Sequence, residues 1–244
     1  MAFFQDPARQ PALRVPAATL GLLVALIGAH IARVMAPAER SGVILADYAF
    51  IPARYSKAFL AAHGIDPGTL LDRAIPFVSY IFLHANFTHL AVNCVWLLPF
   101  GAITARRFGA LAFFAFFLIC GVAGAATHLA FDWGSPDPVI GASAAVSGMM
   151  AAGFRMLPPV GEFGLEVLAR GERPLAPILS SQILMLSAMW IAINVLAGVT
   201  GLGAGPGVHL IAWQAHIGGY MAGLLLAGPF DILQSRLRPA SNRS

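Results

Sequence analysis

Six apolar runs constrain this chain more than any other feature. They cover about residues 16–36, 83–104, 109–130, 141–156, 178–199 and 211–230. An apolar stretch of about 20 residues can cross a bilayer as a helix. The composition agrees, since 58% of the 244 residues are apolar and 11% are charged, where soluble domains carry roughly 25% charged residues. The expectation is an all-α polytopic membrane protein, a six-helix bundle over residues 16–230, with polar tails at 1–15 and 231–244. The first run could end in a signal cleavage site near Met35-Ala36-Pro37-Ala38. A signal h-region is only about 7–15 residues long, so this longer run reads as an uncleaved span.

The charges set a topology. Fourteen arginines and one lysine (Lys57) lie singly or in pairs, which argues against a nucleic-acid-binding stripe. If the N-terminus is inside, ten of these cations lie on inner segments and five on outer ones. The positive-inside rule then puts both termini in the cytoplasm. Residues 37–75 hold Arg40, Asp47, Arg54, Lys57, Asp66, Asp72 and Arg73 among prolines and aromatics. That segment is too charged to span and too apolar for a linker, so it reads as a partly embedded outer loop. Cys94 and Cys120 both fall inside apolar runs and read as packing thiols, with no metal-binding or redox spacing.

Polar groups inside spans point to function. The fourth run is too short to cross: from Ser143 to Arg155 is 12 steps, roughly 18 Å of helix against a hydrocarbon core of about 30 Å. A helix starting at Ser143 must therefore be reached by irregular backbone through Pro136, Pro138 and Gly141, which is tolerated only inside protein or beside a wet cavity. His216 lies 14 steps from Phe230, and His89 15 steps from Thr104, so each is roughly 21–22 Å from an inner end. Ser143, His216 and His89 thus share one depth. His89 and Asn93 are i,i+4 on one helix face, as are Ser143 and Ser147. Gly219 and Gly223 continue the face of His216. Small faces allow two backbones to approach closely, and that brings a serine within reach of a histidine able to activate it.

The absences narrow the chemistry. No Asp or Glu lies within a run apart from Asp231 at the edge, which excludes an intramembrane aspartyl protease and a Ser-His-Asp triad at that depth. There is no H-E-x-x-H zinc signature. A proton-coupled transporter would normally bury an acid.

Taken together, the motifs His84-Ala85-Asn86-Phe87-Thr88-His89-Leu90-Ala91-Val92-Asn93, Gly141-Ala142-Ser143 and Ala215-His216-Ile217-Gly218-Gly219 followed by Gly223 resemble those of the rhomboid intramembrane serine proteases. The resemblance runs over about residues 16–230. It implies a six-helix bundle with a Ser-His dyad, in which Ser143 is the nucleophile and His216 the general base and then acid. It also implies that His89, Asn93 and the Ser143 N–H stabilise the oxyanion, and that Gly141, Ala142, Ser147, Gly219, Gly223 and His84 support the site. With no acidic partner, His216 is expected to be oriented by packing. His84 is expected to make a structural hydrogen bond, and Trp190 and Asn194 to pack and bond between helices. The fifth helix would flank substrate entry, with the Gly-rich 200–208 segment as a cap. His128 and His209 read as interfacial.

No cofactor, metal or nucleic acid is expected. The partners would be transmembrane protein substrates and the bilayer of a bacterial inner membrane, with oligomeric state open. The alternatives are a rhomboid-like pseudoprotease that binds membrane clients and a small membrane transporter. Three positions depart from the family pattern: Ala144 where glycine is usual, Ser147 where an aromatic is common, and Ile75-Pro76 in place of a Trp-Arg pair in the outer loop.

Overall fold

The computed structural model describes residues 15–158, 173–201 and 212–237. The Gly-rich cap beyond Gly201, His209, most of the N-terminal tail and the C-terminal tail beyond Leu237 lie outside the described residues. Helix α1 (Ala17–Met35) buries Thr19, Leu22, Leu26, His30 and Arg33, a stripe at helical spacing. Its Leu20, Val24, Ile31 and Val34 stay exposed, as apolar side chains facing lipid would. Four short helices follow: α2 (Ala38–Tyr48), α3 (Lys57–His63), α4 (Leu70–Ala74) and α5 (Pro76–Ser79). In α4, Thr69 and Asp72 form a reciprocal capping box. The Thr69 hydroxyl and backbone N–H both donate to the Asp72 carboxylate and hold its pKa below the usual range.

The outer segment is anchored through backbone. Phe50 and Val139 exchange N–H···O bonds of 3.1 and 2.8 Å, the Ala53 N–H donates to the Ser135 carbonyl at 2.8 Å, and the Gly141 N–H donates to the Tyr80 carbonyl at 2.9 Å. The Tyr80 hydroxyl donates to the Gly121 carbonyl at 2.7 Å, and the Ser79 hydroxyl to the Tyr48 carbonyl at 2.7 Å. Val139 and Gly141, at the end of the irregular stretch, are thus tied by backbone to Phe50 and Tyr80, while Pro136, Asp137 and Pro138 before them stay exposed. Ile75-Pro76 starts α5 and takes no part in these bonds.

The remaining helices form the bundle: α6 (Phe87–Phe108), α7 (Ala110–Phe131), α8 (Ser143–Met156), α9 (Ser181–Thr200) and α10 (Trp213–Leu237). Among the described residues α1, α6, α7 and α9 are long and apolar enough to cross a membrane, four helices where six runs were expected to span. α8 is too short at 14 residues. α10 has 25 residues but carries Gln214, His216 and several glycines in its outer half. α8 is enclosed by its neighbours and does not need the apolarity of a lipid-facing helix, whereas α10 keeps Met221, Leu225, Ile232 and Leu233 exposed. Every residue of α8 from Ala144 to Arg155 is buried.

Helix bounds also move from the expected runs. α6 starts at Phe87 because Asn86 caps it, accepting the His89 N–H at 2.8 Å. α10 runs on to Leu237, and Asp231 near its C-terminal end is paired by Arg107 from α6, with bonds of 2.5 and 2.8 Å. Such a two-pronged pair is among the stronger charge contacts. Arg155 fastens the inner end of α8, donating to the carbonyls of Ala176 at 3.0 Å and Leu224 at 2.9 Å.

Candidate active site

The site lies where α8 begins, and its shape follows from glycines. Gly141 has φ +120°, and a Cβ there would meet the His89 ring at 2.7 Å. Glycine at 141 therefore permits both the turn into α8 and the approach of His89. On α10, a Cβ at Gly219 would strike the Ala144 carbonyl, and one at Gly223 the Gly148 carbonyl. These absences of side chain let the α8 and α10 backbones touch. Ala142 is fully buried behind the turn.

That contact brings two of the sequence-identified residues together. Ser143 Oγ and His216 Nε2 are 2.7 Å apart. No side chain caps the start of α8, so the first-turn N–H groups, which have no partner within the helix, carry their positive potential to the serine end.

His89 approaches from α6. Its Nδ1 lies 3.4 Å from the Ala85 N–H, a long contact in which the ring nitrogen accepts. The ring's other nitrogen, Nε2, lies beside Gly141. Asn93 is buried, and its amide donates to the His89 carbonyl at 2.9 Å, back along its own helix. The Ser147 hydroxyl donates to the Ser143 carbonyl at 2.7 Å, the i−4 bond open to a helical serine, and so does not bond His216. His84 is buried; its carbonyl accepts from Arg33 at 2.7 Å, and its ring packs edge-on against His30 and His89.

The expectation that packing alone orients His216 does not hold. Its Nδ1 lies 2.8 Å from Asn194 Oδ1 on α9. The sequence held a signal for this, since Ser187, Trp190 and Asn194 recur at i, i+3 and i+7 in an otherwise lipid-like run. The bond between helices expected of Asn194 is present, and its partner is His216.

A family model described as the Rhomboid domain matches residues 72–230, well over half of the chain. The chain belongs to the rhomboid family. It is also similar to the rhomboid protease AarA of Providencia stuartii, 29% identical over 175 residues, which are 66% of this chain and 57% of that protein. The match therefore spans little more than half the length of that relative. Within the rhomboid pattern, Ala144 has a structural counterpart: a Cβ at Gly124 of α7 would lie 2.5 Å from the Ala144 methyl. A glycine on the neighbouring helix thus leaves the room that the extra methyl after the serine takes up.

Proposed function

We propose that this rhomboid is an intramembrane serine protease that hydrolyses peptide bonds in or near transmembrane segments, and that it crosses the bacterial inner membrane six times with both termini in the cytoplasm. The observation that carries the reading is the 2.7 Å contact between Ser143 Oγ and His216 Nε2, which meets the geometric requirement for a nucleophile and its base. Oγ attacks the scissile carbonyl as its proton passes to Nε2. The developing oxyanion is met by the Ser143 N–H and by Nε2–H of His89, with Asn93 one turn further along α6. The imidazolium then protonates the leaving amine and the C–N bond breaks. Water repeats the sequence on the acyl-enzyme, returning the proton to Ser143. His84, Gly141, Ala142, Ser147, Gly219 and Gly223 act by holding this geometry. α9 flanks the site on the lipid side, where a transmembrane substrate would arrive.

The test is cleavage of a model transmembrane substrate by purified chain in detergent and in liposomes. Ser143→Ala is expected to lose at least about three orders of magnitude in rate while keeping its thermal midpoint. Equal cleavage by both forms overturns the reading. Substrate binding without cleavage by the wild type would point instead to the client-binding alternative.

A further inference from the structure

His216 has two ring nitrogens, and the protease reading uses only one. Nε2 can take the serine proton only if it is bare, so the proton of the neutral ring must sit on Nδ1. A proton there, next to lipid-facing helices, needs an acceptor. The group in position is Asn194 Oδ1, at 2.8 Å.

Which end of the amide faces the histidine follows from its other bond. Asn194 Nδ2 lies 2.9 Å from the Trp190 carbonyl, which can only accept. The NH2 group must therefore face Trp190, leaving Oδ1 toward the ring. Oδ1 cannot donate, so Nδ1 does. With Nδ1 protonated, Nε2 is the acceptor and the Ser143 hydroxyl the donor. The series from the Trp190 carbonyl through Asn194 and His216 to Ser143 is satisfied in one direction only. Turning the amide over would set oxygen against oxygen at Trp190. The direction it permits is the one that arms the serine.

We propose that Asn194 is a positioning residue, whose amide oxygen fixes the tautomer and ring plane of His216 from α9. The geometry stands without the protease reading; its consequence for rate rests on that reading. An amide suits the place. It accepts as a carboxylate would, without a buried charge on a helix whose Met185, Met189, Ile193 and Leu196 are exposed as if to lipid. The neighbouring contacts hold the amide in register. Trp190 stacks on Tyr220 with ring centroids 4.5 Å apart, and Ser187 shares a 2.7 Å hydrogen bond with the Tyr220 hydroxyl. Both belong to the stripe that carries Asn194, so the lie of α9 against α10 sets the state of the base.

The experiment compares the full-length wild type with Asn194→Leu and Asn194→Asp in detergent and in liposomes. It reads 15N shifts of the histidine ring nitrogens, the rate at which a fluorophosphonate labels Ser143, cleavage kcat and KM, and the thermal midpoint. In the wild type His216 is expected to be protonated on Nδ1. Asn194→Leu should lose that single form. It should label and turn over about 10- to 100-fold more slowly, with KM changed less than about 3-fold and the fold retained. Asn194→Asp keeps an acceptor at the same place and should recover most of the labelling rate. A wild-type His216 protonated on Nε2, wild-type labelling by Asn194→Leu, or no recovery in a folded Asn194→Asp each overturns the proposal. If Asn194→Leu changes the tautomer but the wild type neither labels nor cleaves, the positioning contact stands and the protease reading fails. If the wild type cleaves and Asn194→Leu matches it, the protease reading stands and the positioning role fails.

Discussion

α10 meets α8 and α9, two of its neighbours, in opposite ways. Toward α8 it presents glycine, and backbone touches backbone at Gly219 with Ala144 and at Gly223 with Gly148. Toward α9 it presents side chains: Tyr220 stacks on Trp190 and bonds Ser187, His216 bonds Asn194, and Trp213 covers Gly198. The glycine contacts of the first seam are backbone on backbone, so they fix the spacing of the two helices that carry Ser143 and His216. The second is made of groups with rotatable bonds on a helix that buries only Ile183, Ser187 and Gly198, so it can yield without unfolding the core. The fixed spacing of Ser143 and His216 and the adjustable orientation of the His216 ring belong to different faces of one helix.

The largest effect should come from breaking the first seam. Gly219→Val sets a branched side chain against the Ala144 carbonyl, and the α8–α10 contact must open. We expect a loss of about 3 kcal/mol or more, since overpacking typically costs about 1–3 kcal/mol and the obstacle here is backbone. Cleavage and fluorophosphonate labelling should vanish together. A variant of normal thermal midpoint and normal labelling would show that the seam is not rigid. Gly141→Ala comes next. Its Cβ meets the His89 ring at φ +120°, so His89 must withdraw. Cleavage should fall about 100-fold, the scale of losing one oxyanion donor, while labelling of the serine persists at a reduced rate. Equal cleavage would place His89 outside the oxyanion role.

The second seam should respond more mildly. Tyr220→Phe keeps the stack on Trp190 and removes one hydrogen bond, worth about 1 kcal/mol. Hydrogen exchange should quicken along α9 before it changes along α8. Uniform quickening of both helices would mean that the two seams open as one. Smallest of all is Thr69→Ala, far from either seam. It removes the capping box and should speed exchange across Leu70–Ala74 alone, with cleavage unchanged. The box works through an ionised Asp72 with a lowered pKa. Its contribution is therefore present above the ordinary aspartate range and is lost as pH falls through the lowered value.

The difference between the seams also explains what could be read from the sequence. Small residues at helical spacing on two runs pointed to close contact there, because glycine has one packing use at a crossing and its spacing is visible in a string of letters. The short fourth run, read by arithmetic alone, matches a helix α8 of only 14 residues that begins at Ser143. The Asn194 contact was harder to find, since an amide in a span has many partners open to it and only the angle of α9 against α10 selects His216. The pairing of Phe50 with Val139 left no mark at all. Backbone bonds carry no side-chain signature, and the two residues are 89 positions apart. Ile75-Pro76, where the family pattern has a Trp-Arg pair, takes no part in that backbone anchorage.

The burial of α8 has a consequence for how the protein comes to be made. A helix of 14 residues, wrapped by α6, α7 and α10 and fastened at its inner end to the Leu224 carbonyl, has no stable place in lipid by itself. Of these partners, α10 comes last in chain order. Ser143 therefore emerges from synthesis 73 positions before the histidine beside it, and a chain halted short of α10 carries Ser143 with neither His216 nor a seat for its helix. Synthesis of α10 is itself the step that gives α8 its seat.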